Sequence, residues 1–225
     1  MDSIEDAIKT LRDGSFVLVH DADGRENETD LVVAAEKITP EHITRMRCDG
    51  GGLVCVSVGG EIAGKLGLPF LHDVYAKSKK DFPLLAELEA DDIPYDEKSS
   101  FSITVNHRKT FTGITDEDRA LTIRELAYIA KAEADVQTFG LNFRSPGHVH
   151  ILVSSGLSNR EGHTELSEAL LSMANLAPLA VICEMMDSKT HKSLPPDEAH
   201  SYAKENGFVF LESSQVKKAW KEKNG

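Results

Sequence analysis

Cysteine is scarce in this chain, and its spacing excludes two common ways of stabilising a fold. The three cysteines, Cys48, Cys55 and Cys183, are too few and too scattered for a disulfide framework or a structural zinc site. Cys55 and Cys183 lie in the apolar runs LVCVSV and LAVICEMM, where thiols are usually buried and inert. We therefore expect no disulfide.

Long hydrophobic runs and an excess of basic residues are also missing. No apolar run reaches the roughly 20 residues that a membrane-spanning helix needs. The acidic, amphipathic start MDSIEDAIKTLRDG is unlike a secretory signal peptide. The net charge of −12 argues against a general nucleic-acid-binding surface. We therefore expect a cytoplasmic enzyme with neither a membrane nor a nucleic acid as its partner.

The common nucleotide-binding and hydrolase motifs are absent too. The chain contains neither of the glycine-rich phosphate loops G-x-G-x-x-G and G-x-x-x-x-G-K-[ST], and it has no G-x-S-x-G nucleophile elbow. These absences exclude the commonest nucleotide-binding and serine-hydrolase interpretations. A few arginines beside a helix N-terminus can still hold one phosphate group, so a phosphorylated small molecule stays among the candidate ligands.

Segments typical of strands and helices alternate along all 225 residues, with no linker or repeat between them. Short apolar runs predict strands, and apolar residues at helical spacing predict helices. The alternation indicates one mixed α/β (α+β) domain over residues 1–225. Between 60 and 98 we expect short helices and mobile loops. The predicted strands are 16–20, 31–36, 53–58, 100–106, 148–155, 178–186 and 208–212, and the other predicted helices are 4–11, 40–46, 163–175, 197–206, one after Thr115 and one at the C-terminus.

An acidic loop follows the first predicted strand. DADGRENETD (21–30) carries five carboxylates and one arginine in ten positions. If the segment is extended, Glu26, Glu28 and Asp30 project from one face, where they repel one another unless a cation or substrate hydroxyls lie between them. Grouped oxygen ligands of this kind suit Mg²⁺ or Mn²⁺. The alternative at this point is a solvated acidic loop.

A second candidate site is the segment NREGHTE (159–165), which lies between a predicted strand and a predicted helix. Gly162 allows close backbone approach, and the unpaired N–H groups of a first helical turn bind anions. Arg160 offers a planar guanidinium to phosphate oxygens, Thr164 offers a hydroxyl, and His163 offers a neutral imidazole to a metal. The alternative is an ordinary N-terminal cap formed by Thr164.

Three further residues are weaker candidates. His148 begins a predicted strand after the turn sequence SPG. Glu184 ends the apolar run LAVIC, so burial is expected to raise the pKa of its carboxyl toward neutrality. Thr112 lies in TFTG, which supplies hydroxyls and a flexible turn after a strand. Such residues are more often structural than catalytic, and only their combination with the two segments above indicates an active site.

These motifs together resemble the 3,4-dihydroxy-2-butanone 4-phosphate synthases, which act on ribulose 5-phosphate in riboflavin biosynthesis. The archaeal single-domain members are the most similar. The matching segments follow the family's order from Asp23 to Met186. They are DGRENETDLVVAAE, TPEHITRMR, GGLVCV, KSSFSITVNHRKTFTGITDEDRA, FRSPGHV, NREGHTE and ICEMM.

The resemblance implies binding roles for the residues of both segments. Glu26 and His163 would bind the metal and also contact the substrate. Arg25 and Asp30 would contact the sugar, and the run from Arg160 to Thr164 would form the phosphate-binding turn. The full substrate-binding set would be Arg25, Glu26, Asp30, Thr112, Arg160, Glu161, Gly162, His163, Thr164 and Glu184.

The resemblance also implies the catalytic residues, the cofactor and the assembly. His148 and Glu184 match the pair regarded as essential, and Glu28, Asp30 and Cys55 would share their pocket. The cofactor would be Mg²⁺ or Mn²⁺, with two ions expected per site, although the sequence by itself leaves the number open. The fold would be a mixed sheet with helices on both faces, in a homodimer whose active site lies at the subunit boundary.

The implied reaction is that of a carbon–carbon lyase. Ribulose 5-phosphate would lose a proton and water, its carbon skeleton would rearrange, and formate would leave L-3,4-dihydroxy-2-butanone 4-phosphate behind. We hypothesise that residues 78–99 close over the pocket and exclude water. The alternatives are a metal-dependent sugar-phosphate isomerase or phosphatase, and a non-catalytic phosphosugar-binding protein. The sequence leaves open which residue removes the first proton and how the loop between His148 and His163 runs.

Overall fold

A seven-stranded mixed sheet forms the centre of the computed structural model, which describes residues 2–22, 24–90, 92–132 and 135–224. The spatial order is β4-β5-β3-β6-β2-β1-β9, with parallel pairing in β3–β5 and β1–β9 and antiparallel pairing elsewhere. Strands β7 and β8 form a separate two-stranded ribbon. The strands are β1 (Val17–His20), β2 (Thr29–Ala34), β3 (Cys55–Val58), β4 (Phe101–His107), β5 (Phe143–Val153), β6 (Leu179–Glu184), β7 (Met186–Asp187), β8 (Lys192–Ser193) and β9 (Val209–Glu212).

Helices surround this sheet. The α-helices are α1 (Ile4–Asp13), α2 (Pro40–Arg45), α3 (Gly60–Leu66), α4 (Leu71–Ser78), α5 (Leu84–Glu87), α6 (Asp116–Lys131), α7 (Val136–Asn142), α8 (His163–Met173), α9 (Pro196–Asn206) and α10 (Ser213–Asn224). A 3₁₀ turn (Ala35–Lys37) follows β2, and a π-helical turn (Met46–Gly50) follows α2. Over the described residues, no helix combines the length and apolar character that crossing a bilayer requires.

Both faces of the sheet are buried, as β2 illustrates. Its residues Leu31 and Val33 pack in one core, whereas Val32 and Ala34 pack in the other. The first core also contains residues of α2, α3, α6, α7 and α9, and the second contains residues of α1, α8 and α10. Strands that are covered on both sides need continuous apolar runs. The structure confirms the predicted mixed α/β architecture with helices on both faces of the sheet.

Capping residues in the sequence predicted where the helices begin and end. The side chain of Thr39 accepts a hydrogen bond from the N–H of His42 at the start of α2, and Pro40 occupies the first helical position. The predicted helix 40–46 nevertheless ends in a π-helical turn, after which Gly51 adopts a left-handed φ of 88°. A residue with a side chain would be strained there, which explains why the helix stops within the triple glycine.

One strand begins earlier than the sequence predicted. We expected a turn before His148, but β5 already starts at Phe143, which pairs with His107 of β4. The register shifts between Val105 and Asn106, and a Cβ at Gly147 would overlap the backbone of Val105. Ser-Pro-Gly is a turn sequence, and it forms the expected turn as a bulge inside β5, because Asn106 pairs with Arg144 whereas its neighbour Val105 pairs with Val149.

The segment between 60 and 98 contains the expected short helices, namely α3, α4 and α5. Neither α4 nor α5 contains a buried residue, so little apolar packing ties these two helices to the core, in contrast to α3. Residues 92–100 belong to no helix or strand. Helix α7 and the β7–β8 ribbon were not predicted, because each is too short for a clear periodic pattern.

Candidate active site

The acidic loop between β1 and β2 is folded around one buried carboxylate. Asp21 accepts hydrogen bonds from the backbone N–H groups of Glu26 (3.1 Å) and Glu28 (2.9 Å). Asn27 adopts a left-handed φ of 53°, so the loop is not extended. The prediction that Glu26, Glu28 and Asp30 project from one face had assumed an extended loop. Only Asp30 of the three predicted acids lies in a strand. The carboxylates come together through a compact turn rather than along one strand face.

The first residue of α8 meets these acids. His163 Nδ1 lies 3.3 Å from Glu26 Oε2, and His163 Nε2 lies 3.7 Å from Asp30 Oδ1. Asp21, Glu26 and His163 each offer one ligand atom within 4.8 Å of the others. The predicted proximity of Glu26 and His163 is therefore found in the structure, and Asp21 joins them.

Burial and charge act together on this cluster. Burial alone would lower the pKa of the His163 imidazole, but the carboxylates of Asp30, Glu26 and Asp21 outweigh that effect and raise it to about 9. Burial raises the pKa of the Asp30 carboxyl well above its usual range, and neighbouring acids add to the increase. Without a metal ion to balance the carboxylates, His163 and Asp30 therefore hold their protons more tightly than the same groups do in water.

The cluster fits a divalent cation. Asp30 Oδ1 and His163 Nε2 are buried and have no hydrogen-bond partner among the described residues. Buried polar atoms without partners are rare in native proteins, and carboxylate oxygen and imidazole nitrogen are metal ligands. The donor set of Asp21, Glu26 and His163 is therefore suited to hold Mg²⁺ or Mn²⁺.

Two arginines lie beside the acidic cluster. Arg160 Nη1 donates to Glu165 Oε2 at 2.6 Å, while its Nε donates to Asp96 at 2.8 Å. Arg25 Nη2 donates to the same Asp96 carboxylate at 3.0 Å. A Cβ at Gly162, the N-cap of α8, would overlap the Arg160 guanidinium. Glycine is thus needed for the close approach of Arg160 to the open end of the helix, a combination that binds anions.

Glu184 and Cys55 extend the site across the sheet. Glu184 ends β6 directly opposite Asp30 of β2, and its Oε2 accepts the N–H of Leu53 at 2.7 Å. Burial raises the pKa of the Glu184 carboxyl, as the sequence predicted. Burial likewise raises the pKa of the Cys55 thiol well above its usual value. All three cysteines are free, and Cys55 and Cys183 are buried.

One cavity of about 290 Å³ contains most of these side chains. Its walls come from strands β2 to β6, from the first turn of α8 and from the irregular segment that starts at Ile93. The predicted site residues that line it are Glu26, Asp30, Cys55, Arg160, His163, Thr164 and Glu184. This volume is close to the lower end for small-molecule sites.

Two predicted site residues point to other partners. The Glu28 carboxylate accepts the hydroxyl of Ser193 at 2.6 Å, and Glu161 forms an ion pair with Lys217 of α10 at 2.7 Å. Neither glutamate lines the cavity. Glu28 still lies near enough to influence the pKa of Asp30, so it belongs to the margin of the site.

His148 and Thr112 form a second, exposed group outside the cavity. His148 Nδ1 lies 3.1 Å from Asn106 Nδ2, and the His148 N–H donates to Asn106 Oδ1 at 2.8 Å. Asn106 Nδ2 also donates to the carbonyl of Thr112 at 3.4 Å. His148 and Thr112 do not line the cavity of their own chain. Within this chain, therefore, the predicted pair of His148 and Glu184 is split between two places.

Asp21, Tyr95 and Asp96 are the site residues that the sequence did not single out. Asp21 lies in the acidic loop, and its position directly after a strand was a usable signal. Tyr95 and Asp96 line the cavity from the far side, and the Arg25 guanidinium lies 5.8 Å from the Tyr95 ring centre. They occur among prolines and mixed charges without periodicity, so no local pattern could have identified them.

Comparisons with known proteins agree with this geometry. The family model described as 3,4-dihydroxy-2-butanone 4-phosphate synthase matches residues 5–219. A protein of that name from Methanothermobacter thermautotrophicus is 52% identical over 221 residues, which is 97% of this chain and 96% of the relative.

Two solved structures of proteins with the same name are also similar. A cation-free form has a TM-score of 0.81 at 28% identity over the full length of both chains. A complex with two magnesium ions has a TM-score of 0.79 at 30% identity, over 96% of this chain and 95% of the other. Because the family model spans nearly all of the sequence, this chain belongs to the 3,4-dihydroxy-2-butanone 4-phosphate synthase family.

Proposed function

We propose that this protein is the lyase that converts D-ribulose 5-phosphate to L-3,4-dihydroxy-2-butanone 4-phosphate and formate in riboflavin biosynthesis. The observation that carries the proposal is the convergence of Glu26, Asp30, His163 and Glu184 on one cavity. The same cavity has Arg160 at the open end of α8. Acid–base groups, a cation site and an anion site are thus within reach of one small phosphorylated sugar.

The phosphate end of the substrate is assigned to α8 and the arginines. Gly162 provides no side-chain cap, so the first N–H groups of α8 are available to an anion. Arg160 adds a guanidinium suited to two phosphate oxygens, and Thr164 adds a hydroxyl at the cavity wall. Arg25, which the family resemblance assigns to the sugar, lies beside Arg160 through their common partner Asp96, and we propose that it contacts the phosphate as well.

The sugar end is assigned to the carboxylates. Glu184 has a raised pKa because it is buried, which suits a group that both takes and returns protons near neutral pH. Asp30 lies directly opposite on β2, within reach of the same hydroxyls. Cys55 lines the same cavity from β3, on the other side of β6 from Asp30. This arrangement supports proton removal beside the substrate carbonyl as the first step.

Glu26 and His163 are assigned to the metal, with Asp21 beside them. When bound, Mg²⁺, or Mn²⁺ in its place, supplies positive charge that stabilises oxyanions on the substrate. We propose two ions per site, since a solved structure at 30% identity is a complex with two magnesium ions. The unpartnered atoms of Asp30 and His163 support a cation site in this chain.

A homodimer with shared active sites completes the proposal. His148 and Thr112 lie outside their own cavity, although the family resemblance gives both a role. If the exposed group around Asn106 faces the cavity of a second subunit, His148 and Glu184 meet across the boundary. The cytoplasmic location, and the absence of nucleic-acid and membrane partners, stay predictions from the sequence.

Formate release is the decisive test of the activity. We expect one formate for each ribulose 5-phosphate consumed, and loss of turnover with EDTA that is restored by Mg²⁺. An isomerase or phosphatase releases no carbon, so substrate loss without formate would overturn the proposal. Full turnover in metal-stripped protein would overturn its metal dependence.

Glu26→Gln distinguishes the enzyme from a non-catalytic phosphosugar-binding protein. The change removes one charge from the proposed metal site, and we expect formate release to fall by about 100-fold or more, since even outer-shell partners of metals typically cost 10–100-fold. The exposed Glu222→Gln on α10 is the matched control and should retain activity. A binding protein would instead keep its ligand affinity in Glu26→Gln and show no dependence on magnesium.

A further inference from the structure

Asp96 joins the two arginines beside the cavity. Its Oδ2 accepts hydrogen bonds from Arg160 Nε at 2.8 Å and from Arg25 Nη2 at 3.0 Å, and lies 2.7 Å from Arg160 Nη2. The three side chains are only 14–15% exposed, so solvent and salt screen the contacts weakly. One carboxylate thus occupies both guanidinium groups.

Carboxylates already outnumber these two positive charges. Arg25 Nε lies 3.6 Å from Asp21, and Arg25 Nη2 lies 3.9 Å from Glu26. Arg160 lies 2.6 Å from Glu165. Together with Asp96, these residues make four carboxylates around two guanidinium groups. A phosphate dianion that entered this half-buried site with all four in place would meet strong repulsion, so one carboxylate has to leave before phosphate binds.

Asp96 is the acid best able to leave. Glu26 is held by His163, whose Nδ1 lies 3.3 Å from its Oε2. Asp21 accepts two backbone N–H groups of its own loop, and Glu165 accepts the N–H of Ser155. The side chains of Asp21 and Glu165 are 0% exposed. In the described part of the chain, Asp96 has hydrogen bonds only from the two arginines. The backbone of residues 92–98 makes no hydrogen bond to another described backbone group, so moving this segment disrupts little structure.

We propose that Asp96 occupies the anion subsite of the free protein and that the phosphate group of the substrate displaces it. The inference rests on the proposed function, because that function supplies the phosphate ester. Displacement frees both guanidinium groups for phosphate and loosens the segment that carries Ile93 and Tyr95 along the cavity wall. This effect of phosphate is the opposite of the closure that the sequence led us to expect for residues 78–99. A sugar without a phosphate has no group that competes for the arginines, so Asp96 also selects for phosphorylated substrates.

The test uses the intact protein and inorganic phosphate as the probe. Asp96→Asn preserves the size of the side chain and one oxygen acceptor but removes the competing charge. Isothermal titration at pH 8, at fixed ionic strength and without added divalent metal, gives the Kd for phosphate. We expect Asp96→Asn to bind phosphate about tenfold more tightly, the scale of one charge-assisted hydrogen bond.

Asp92→Asn is the matched control, because Asp92 is an exposed residue of the same segment. It should bind phosphate as the unmodified protein does. Unchanged phosphate binding in Asp96→Asn would overturn the proposal. Weaker binding would overturn it too, because that result would make Asp96 a residue that positions the arginines for the ligand.

A second measurement needs no variant. If phosphate releases the segment, trypsin should cleave after Lys98 several-fold faster in phosphate than in chloride of equal ionic strength, since proteolysis follows local opening. Equal or slower cleavage would contradict the displacement of Asp96. Formate release from ribulose 5-phosphate is measured in parallel. Its absence, together with tight phosphate binding by Asp96→Asn, would refute the proposed reaction and leave the role of Asp96 intact.

Discussion

Two carboxyl groups face each other at the centre of the site. Asp30 and Glu184 are direct cross-strand partners of β2 and β6, and burial raises the pKa of both. Like charges opposite each other on a sheet destabilise it. The fold tolerates this cost where a cation and a substrate are to be held, which is a common compromise between stability and function.

Glu184→Gln should separate stability from activity. A carboxyl whose folded pKa is raised destabilises the protein as pH rises from its usual 4.5 through the raised value, because the folded state resists ionisation. Glutamine keeps an oxygen for the Leu53 N–H. We expect the metal-free variant to melt a few degrees higher at pH 8, at about 2–4 °C per kcal/mol for a chain of this size. Formate release should fall by about 100-fold or more, as for loss of a general acid–base group.

Glu212→Gln is the control for this change, since Glu212 ends β9 in the same way that Glu184 ends β6. It should leave formate release unchanged. A Glu184→Gln variant that keeps full turnover would exclude an acid–base role for this carboxyl. A lower melting temperature at pH 8 would show that its charge is already compensated in the metal-free protein.

At the scale of the secondary-structure element, the start of α2 carries a pH-dependent cap. His42 Nδ1 accepts the Thr39 N–H at 3.1 Å, and its Nε2 lies 3.0 Å from the carbonyl of Gly14. The imidazole also contacts the Phe16 ring edge-on, with 5.1 Å between ring centres. Protonation would remove the Nδ1 acceptor. Burial, the largest cause, lowers the pKa of His42.

This cap predicts a loss of stability in mild acid. The unfolded chain takes up the His42 proton near pH 6.5, whereas the folded protein resists protonation until a lower pH, so stability falls as pH drops below about 6.5. His42→Gln should lower the melting temperature at pH 7.5 by the value of one cap, about 1 kcal/mol or 2–4 °C. It should also reduce the further loss between pH 7.5 and 5.5.

His200→Gln serves as the control, because His200 is exposed on α9. Its melting temperature should follow the same pH dependence as that of the unmodified protein. Burial also lowers the pKa of His107 and His150, so part of the acid effect should persist in His42→Gln. An unchanged pH dependence in His42→Gln would rule out the capping histidine as a source of acid lability.

At the scale of the whole molecule, the proposed dimer predicts complementation between inactive variants. His148→Ala and Glu26→Gln should each abolish most turnover. If His148 acts in the cavity of the other subunit, a mixed dimer contains one site with both native residues and one site with neither. Unfolding and refolding an equal mixture should then restore roughly a quarter of the native activity, as random pairing of subunits requires.

The control is the same mixture without unfolding, in which slow subunit exchange should delay recovery. Activity that stays at the level of the separate variants after refolding would place His148 in the site of its own chain. A molecular mass in solution equal to that of one chain, measured for active protein, would exclude the homodimer itself.

The fold was largely predictable from the sequence because both faces of the sheet are buried. Double burial requires continuous apolar strands, and LVVAAE, LVCVSV and PLAVICEMM are such runs. Capping signals such as Thr39 with Pro40 are equally local. The predictions missed pairing that lies on the far side of a local turn, as in β5, which starts at Phe143 although its ladder is interrupted between Arg144 and Val149.

The site was predictable only in part. The segments DADGRENETD and NREGHTE show their chemistry in the residues themselves, so Glu26, Arg160 and His163 could be named beforehand. Asp96 could not, because its importance comes only from meeting Arg25 and Arg160 across 64 to 71 positions of chain.

By itself the sequence determined the order of the longer strands and helices, the apolar cores and the kinds of ligand that the two polar segments present, because these depend on neighbouring residues. Only the tertiary structure decided the partners. Sheet register placed Glu184 opposite Asp30, the docking of α8 brought His163 to Glu26, and pairing of β4 with β5 left His148 beside Asn106, outside the cavity. Contacts between residues so far apart in the chain depend on how whole elements pack, which no local pattern encodes.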